Sequence, residues 1–250
     1  IDFARRETRL RRYFLLTLFL GFALSTIDLI LHALSASREG HLPLAGASQV
    51  LSALAWAFVV IVLYIQGKSR WLSASVLLTP LAFVFAVAAL FQHEPMIPLK
   101  GELTTALFVL HVGILLFGIG SICLAVFSAL FYLIQQRELK SKHFGRLLGL
   151  LPPLETLDRT ALASLGIGVL LLTIGNATGI YLAHVYWKTD WLTQPKFIFS
   201  MLTWAWFLCL LGVRYFVGWR GGRFFALIVV GFIFLLFTFS FSLLWEWPWT

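Results

Sequence analysis

Seven continuous apolar runs dominate this chain, at roughly 13–34, 46–66, 71–91, 103–134, 160–184, 197–217 and 223–246. Each approaches or exceeds about 20 residues, the length an α-helix needs to cross a bilayer core. Lipid offers no partner for backbone N–H and C=O groups, so only helices and closed barrels can span it. The runs are unbroken rather than alternating, which argues against barrel strands. The sequence therefore predicts an all-α fold, a polytopic transmembrane helix bundle of about seven spans, with residues 1–250 forming a single integral membrane domain. Composition agrees. Hydrophobic residues make up 60% of the 250 and charged residues 12%, where soluble domains carry about 25% charged. A disordered chain and a cytosolic globular enzyme are both excluded. The 24 Phe, 10 Trp and 6 Tyr suit apolar spans with aromatic interface belts.

The loops between the runs alternate in charge. One set carries 15 of the 19 Lys and Arg. It includes Arg5 to Arg12 before the first run, Lys68 and Arg70, the group from Arg137 to Arg159, and Arg214, Arg220 and Arg223. The other set holds only Arg38, Lys100, Lys188 and Lys196. By the positive-inside rule the N-terminus is predicted to be cytoplasmic and the C-terminus outside. The same alternation explains the net charge of +8 without any nucleic-acid partner. The lipid bilayer is the first partner. The chain opens at Ile1 with a basic amphiphilic stretch and no signal-peptide pattern, and an additional N-terminal span is expected before it.

Chemistry has few places to reside. Phosphate-loop, zinc-protease and nucleophile-elbow motifs are absent. Cys123 and Cys209 both fall inside apolar runs, giving no disulfide framework and no CxxCH site. There is no nucleophile–base pair and no carboxylate dyad in a span, so the chain reads as a handling or assembly factor rather than a classical enzyme. Ionisable groups within spans are costly and usually functional. Those here are Asp28 and His32 in the first run, His111 about two turns into the fourth, and His184 at the outer end of the fifth. Asp28 and His32 are four apart on one helix face and able to pair, as a structural pair or a proton relay. His41, His93 and His143 lie in loops and read as solvated.

His111 and His184 both fall near the outer leaflet. The loop after His184 carries Tyr186, Trp187, Lys188 and Trp191 and ends at Gln194-Pro195-Lys196. Imidazoles supply axial iron ligands, indole faces stack on a flat macrocycle, and lysine meets propionates. The plainer reading comes first from the residues alone: Trp and Lys anchor the interface, and the histidines bond to neighbouring helices. Gly175-Asn176-Ala177-Thr178-Gly179 permits close helix approach, with Asn176 and Thr178 as candidate interhelical hydrogen bonds.

These residues, in this order, carry a resemblance. The stretch from His111 to Gln136, then Leu139-Lys140, Leu151-Pro152-Pro153-Leu154-Glu155, Leu172-Thr173 and Gly179, resembles the cytochrome c assembly family. So do Trp187, Trp191, Pro195-Lys196, Trp204, Arg214 and Gly218-Trp219-Arg220-Gly221. Leu31-His32, Leu42-Pro43-Leu44, Ala55-Trp56 and Pro80-Leu81-Ala82 fit the family's N-terminal half. The likeness covers nearly the whole chain and is nearest the short HemX-like branch, whose members lack a large soluble partner domain and typically start one span earlier.

The resemblance implies a membrane protein of cytochrome c biogenesis. It would bind or handle haem near the outer face, under a Trp-rich loop, for attachment to apocytochrome c. On that basis His111 and His184 are candidate haem-iron ligands, and Trp187, Trp191 and Lys196 candidate haem contacts. His111 matches the family's outer ligand histidine. Three departures stand out. In the loop, Thr193, Gln194 and Phe197 replace the family's Trp, Asp and Glu. Gly212 stands where the family's intramembrane histidine lies, two residues before Arg214. The family's second outer histidine has no counterpart, and His184 is the candidate substitute. The alternative is a non-catalytic scaffold or regulatory subunit, of a respiratory complex or of haem biosynthesis, that has lost haem transport. A small-solute transporter is a weaker third, since no repeat or broken midplane helix is evident. A membrane-protein partner or larger complex is expected. The expected location is the bacterial inner membrane, with a thylakoid membrane as the alternative.

Overall fold

The computed structural model describes residues 2–66, 72–91, 101–141, 151–186 and 191–244, with side chains described over a subset of these. Among them are seven α-helices: α1 (Asp2–Arg38), α2 (Ala47–Gln66), α3 (Leu72–Ala89), α4 (Glu102–Ser141), α5 (Leu154–Tyr186), α6 (Pro195–Gly212) and α7 (Gly222–Leu244). A 3₁₀ turn, Trp191–Thr193, precedes α6, and a π-helical turn, Val213–Val217, prolongs it. Each helix covers one predicted apolar run. Five segments are long and apolar enough to cross a membrane, within α1, α2, α4, α5 and the α6–π-turn stretch; the described apolar parts of α3 and α7 are shorter. The protein is an all-α polytopic helical membrane protein.

The chain divides into two compact units, Ile1–Ser69 with Leu78–Leu99, and Arg70–Leu77 with Lys100–Thr250. In the first, α1 lies against α2. The Trp56 indole N–H donates to Thr26 Oγ1 at 2.8 Å, and the same ring stacks on Phe22. The turn into α2 is held by Gln49, whose Oε1 accepts the Leu44 N–H at 2.5 Å. Leu44 itself takes a left-handed backbone, φ 59°. A branched residue pays for that conformation in strain, and the Gln49 bond and burial of Leu42 hold it there.

The second unit contains a ring of four helices: α4 packs on α5 and α7, and α6 packs on α5 and α7. The α4–α5 seam is antiparallel and built on glycine. Ideal Cβ atoms at Gly179, Gly175 and Gly168 on α5 would strike His111, Leu115 and Ile122 on α4. One at Gly118 on α4 would meet Leu171 at 3.2 Å and Leu172 at 3.5 Å. Each step down α4 is thus matched by a step back along α5. Large side chains fill notches left by small ones, which is how membrane helices gain contact when lipid supplies no hydrophobic drive.

Interhelical hydrogen bonds complete the ring. Ser200 Oγ donates to Asn176 Oδ1 at 2.9 Å, and Trp204 Nε1 to Thr173 Oγ1 at 2.8 Å, joining α6 to α5. Thr203 and Thr238 hydroxyls meet at 3.0 Å between α6 and α7. At the far end of α5, Asp158 and Arg214 form an ion pair at 2.7 Å. The α5 start follows from Pro152-Pro153: Thr156 and Leu157 N–H groups bond to the Pro153 carbonyl, and Glu155 in the first turn suits the helix dipole. Pro195 opens α6, where its missing N–H costs nothing.

Candidate functional site

His111 is the rung of the α4–α5 seam nearest the Glu102 end. It lies nine residues into α4, about 14 Å along the axis at 1.5 Å per residue. Its ring faces the backbone of α5 at Gly179, where an ideal Cβ would stand 2.8 Å from Cε1. Glycine is required there, since any larger residue would displace the imidazole. On the adjacent residue, Thr178 Oγ1 lies 3.0 Å from His111 Nδ1. Phe108, on the preceding turn of α4, stands tilted beside the ring, centroids 6.5 Å apart. The imidazole is therefore half-buried, with one nitrogen engaged and one edge packed.

The start of α6 converges on the same region. The Gly175 carbonyl is within hydrogen-bonding reach of the His111 ring, and the Lys196 ammonium is near enough to act on it electrostatically. Lys196 is exposed. Imidazole, hydroxyl and ammonium thus come from α4, α5 and α6 to one end of the second unit. As a donor set this fits one bond to iron plus one cation for a carboxylate.

His184 is not part of that group. It follows Gly179 by five residues, so it is turned about 140° round α5 from the face that meets His111. Its neighbours Leu182 and Ala183 are buried, and it is exposed. Trp187 lies outside the described residues, as does the side chain of Trp191. His93 and His143 lie outside them too. Among the described residues, no group of three or more His, Cys, Asp or Glu is placed to hold a metal ion.

The remaining span residues fall elsewhere. Asp28 Oδ1 and His32 Nε2 are 3.5 Å apart on α1, both about half exposed, so the four-residue spacing does place them together. His41 Nδ1 stands 3.7 Å from Glu39 Oε2. Both expected interhelical bonds in the GxxxG segment are present, Asn176 to Ser200 and Thr178 to His111. Gly212 sits at the junction of α6 and the π-turn in ordinary helical conformation, φ −56° and ψ −48°. A Cβ there would meet only Phe216, at 3.9 Å, so space for a side chain exists where the family has histidine.

Sequence reasoning missed the pairing of Thr178 with His111. The GxxxG signal was visible, but not which side chain fills its notch. It also missed the Asp158–Arg214 pair. Its only trace was an acid and a base at the same predicted membrane face.

Comparison with known proteins places these features in a family. Residues 44–247 match the profile described as cytochrome C assembly protein. The cytochrome c biogenesis protein CcsA of Guillardia theta is 26% identical over 215 residues, covering 78% of this chain and 71% of that one. CcsA of Chlorella vulgaris is 26% identical over 252 residues, 84% and 76%. CcsA of Prochlorococcus marinus strain MIT 9303 is 24% identical over 231 residues, 80% and 72%. No solved structure matches. With four-fifths of its length under the profile, the chain belongs to the cytochrome c assembly protein family.

Proposed function

We propose that this protein binds haem near the outer membrane face and presents it for attachment to apocytochrome c. The observation that carries the reading is the setting of His111. A half-buried imidazole is fixed at the end of the α4–α5 seam, held by a hydroxyl and a glycine notch, with Lys196 close by. Relatives named for cytochrome c biogenesis support haem as the ligand of such a site. Bound there, haem supplies the iron and the vinyl groups at which the acceptor's thiols react; the chemistry belongs to the cargo and the acceptor. This chain's part is to hold, orient and expose.

His111 would hold the haem iron, and Lys196 would meet a propionate. Trp187 and Trp191 would provide a stacking platform. His184 is left out of the ligand set, because it lies about 140° round α5 from the face that meets His111. The membrane assigned is a bacterial cytoplasmic membrane or a thylakoid, in keeping with relatives from algae and a cyanobacterium.

The test is a visible spectrum, oxidised and reduced, of gently purified full-length chain, followed by titration with haemin. A Soret band that His111→Ala abolishes supports the reading. A colourless protein that stays colourless after haemin is added would overturn it and leave a scaffold that kept the family fold.

A further inference from the structure

The hydrogen bond between His111 and Thr178 has a direction that the surrounding atoms settle. Thr178 Oγ1 lies 2.9 Å from the Gly175 carbonyl and 3.0 Å from the Ile174 carbonyl. Carbonyls only accept, so the single hydroxyl proton goes to one of them, as buried helix threonines commonly arrange. If that proton pointed at His111 instead, two oxygen pairs would stand at hydrogen-bond distance with no hydrogen between them. The remaining lone pair of Oγ1 faces His111 Nδ1 at 3.0 Å, and what it can receive is an N–H. In a neutral imidazole one nitrogen carries the proton and the other the lone pair.

We propose that Thr178 is the positioning residue for His111: its hydroxyl accepts Nδ1–H, holds the ring in the Nδ1-protonated tautomer, and leaves the Nε2 lone pair as the donor to iron. The role rests on the reading of His111 as a haem ligand, but the tautomer stands on its own geometry. Metal-binding histidines owe their orientation and basicity to the acceptor on the other ring nitrogen. That acceptor is usually a carboxylate, a carbonyl or water; here it is a helix hydroxyl, with the Gly175 carbonyl beside it. Gly179 completes the arrangement from the same turn of α5. Its missing side chain lets the ring lie close enough for Nδ1 to reach Oγ1. Thr178 and Gly179 therefore act as one device, a hook and a notch on adjacent residues.

The experiment has two arms on the full chain in lipid nanodiscs. The first needs no haem. Nitrogen-15 NMR of histidine-labelled protein, with the His111 signals identified by their loss in His111→Gln, reads which ring nitrogen is protonated. The expected result is protonated Nδ1 and bare Nε2. Thr178→Val should move His111 toward the Nε2-protonated form that free imidazole side chains prefer, and Thr178→Ser should restore it. An Nε2-protonated wild type, or a Thr178→Val variant with unchanged ring signals, overturns the proposal.

The second arm titrates the same proteins with haemin. Thr178→Val should bind about 10- to 100-fold more weakly than wild type, the usual effect of losing such an outer partner. Thr178→Ser should bind within a few-fold of wild type. Equal affinity in all three, with wild-type binding dependent on His111, overturns Thr178's positioning role while the haem reading stands. The expected tautomer without His111-dependent binding overturns the haem reading alone and supports the hold of Thr178 on the ring.

Discussion

Arg214 and Asp158 meet across the end of the second unit, with Arg214 Nη2 2.8 Å from one carboxylate oxygen and 2.7 Å from the other. The guanidinium is buried at 8% exposure, while the carboxylate keeps 30%. Arg214 Nη1 also donates to the Trp219 carbonyl at 3.0 Å, and the charge lies 5.2 Å from the Phe224 ring centroid. One side chain thus ties α5, the π-turn and α7 together. Removing Asp158 alone would leave a buried cation without its partner, at a cost of about 3 kcal/mol, the low end for such losses because the carboxylate keeps some water. We expect Asp158→Ala to lower the SDS-unfolding midpoint sharply. The double variant Asp158→Ala/Arg214→Met should recover most of the loss, because it removes the stranded charge. A double variant as unstable as the single one would show that the pair matters for something other than charge.

The glycines of this chain should respond in opposite ways. At Gly179 an added methyl would sit 2.8 Å from His111 Cε1. Gly179→Ala is expected to cost about 1–3 kcal/mol by overpacking and to weaken haemin binding by displacing the imidazole. At Gly212 the nearest atom is 3.9 Å away and the backbone is already helical. Gly212→Ala should gain up to about 1 kcal/mol, since alanine loses less freedom on entering a helix. Paired thermal-unfolding curves and haemin titrations check both.

The bond from Trp204 Nε1 to Thr173 Oγ1, 2.8 Å, joins α5 to α6 within the membrane. A double-mutant cycle with Trp204→Phe and Thr173→Val should return a coupling of about 0.6 kcal/mol, the average for such bonds in lipid, where alternative partners remain in the unfolded state. A coupling indistinguishable from zero would mean that helix packing alone holds this contact.

Lys196 is exposed and offers a single charge to a haem carboxylate. Lys196→Gln is expected to weaken haemin binding about five-fold, the worth of roughly 1 kcal/mol for an exposed pair. The difference should shrink at high salt. Haemin dimethyl ester, which has no carboxylates, should bind wild type and variant alike.

The membrane fold was legible in the sequence because lipid imposes one rule on every span. A run of about 20 apolar residues must close its own backbone hydrogen bonds as a helix. Each of the seven predicted runs is a helix, and the Pro152-Pro153 and Gln194-Pro195 signals mark where α5 and α6 begin. Two side-chain relationships were legible for the same reason, locality. Asp28 and His32 fall on one face of one helix, and the GxxxG segment offers Asn176 and Thr178 to its neighbours.

What the sequence by itself determined, then, is the set of helices and a short inventory of polar groups that lipid makes expensive. Only the tertiary structure decided which of those groups meet. His111 and Thr178 are 67 residues apart, and Asp158 and Arg214 are 56 apart. Neither pairing follows from a period of 3.6, because each depends on the register between two helices. The antiparallel seam sets that register. It packs Leu115 and Ile122 against Gly175 and Gly168 and so delivers His111 to Gly179. The same geometry leaves His184, five residues beyond Gly179, off the face of α5 that meets His111.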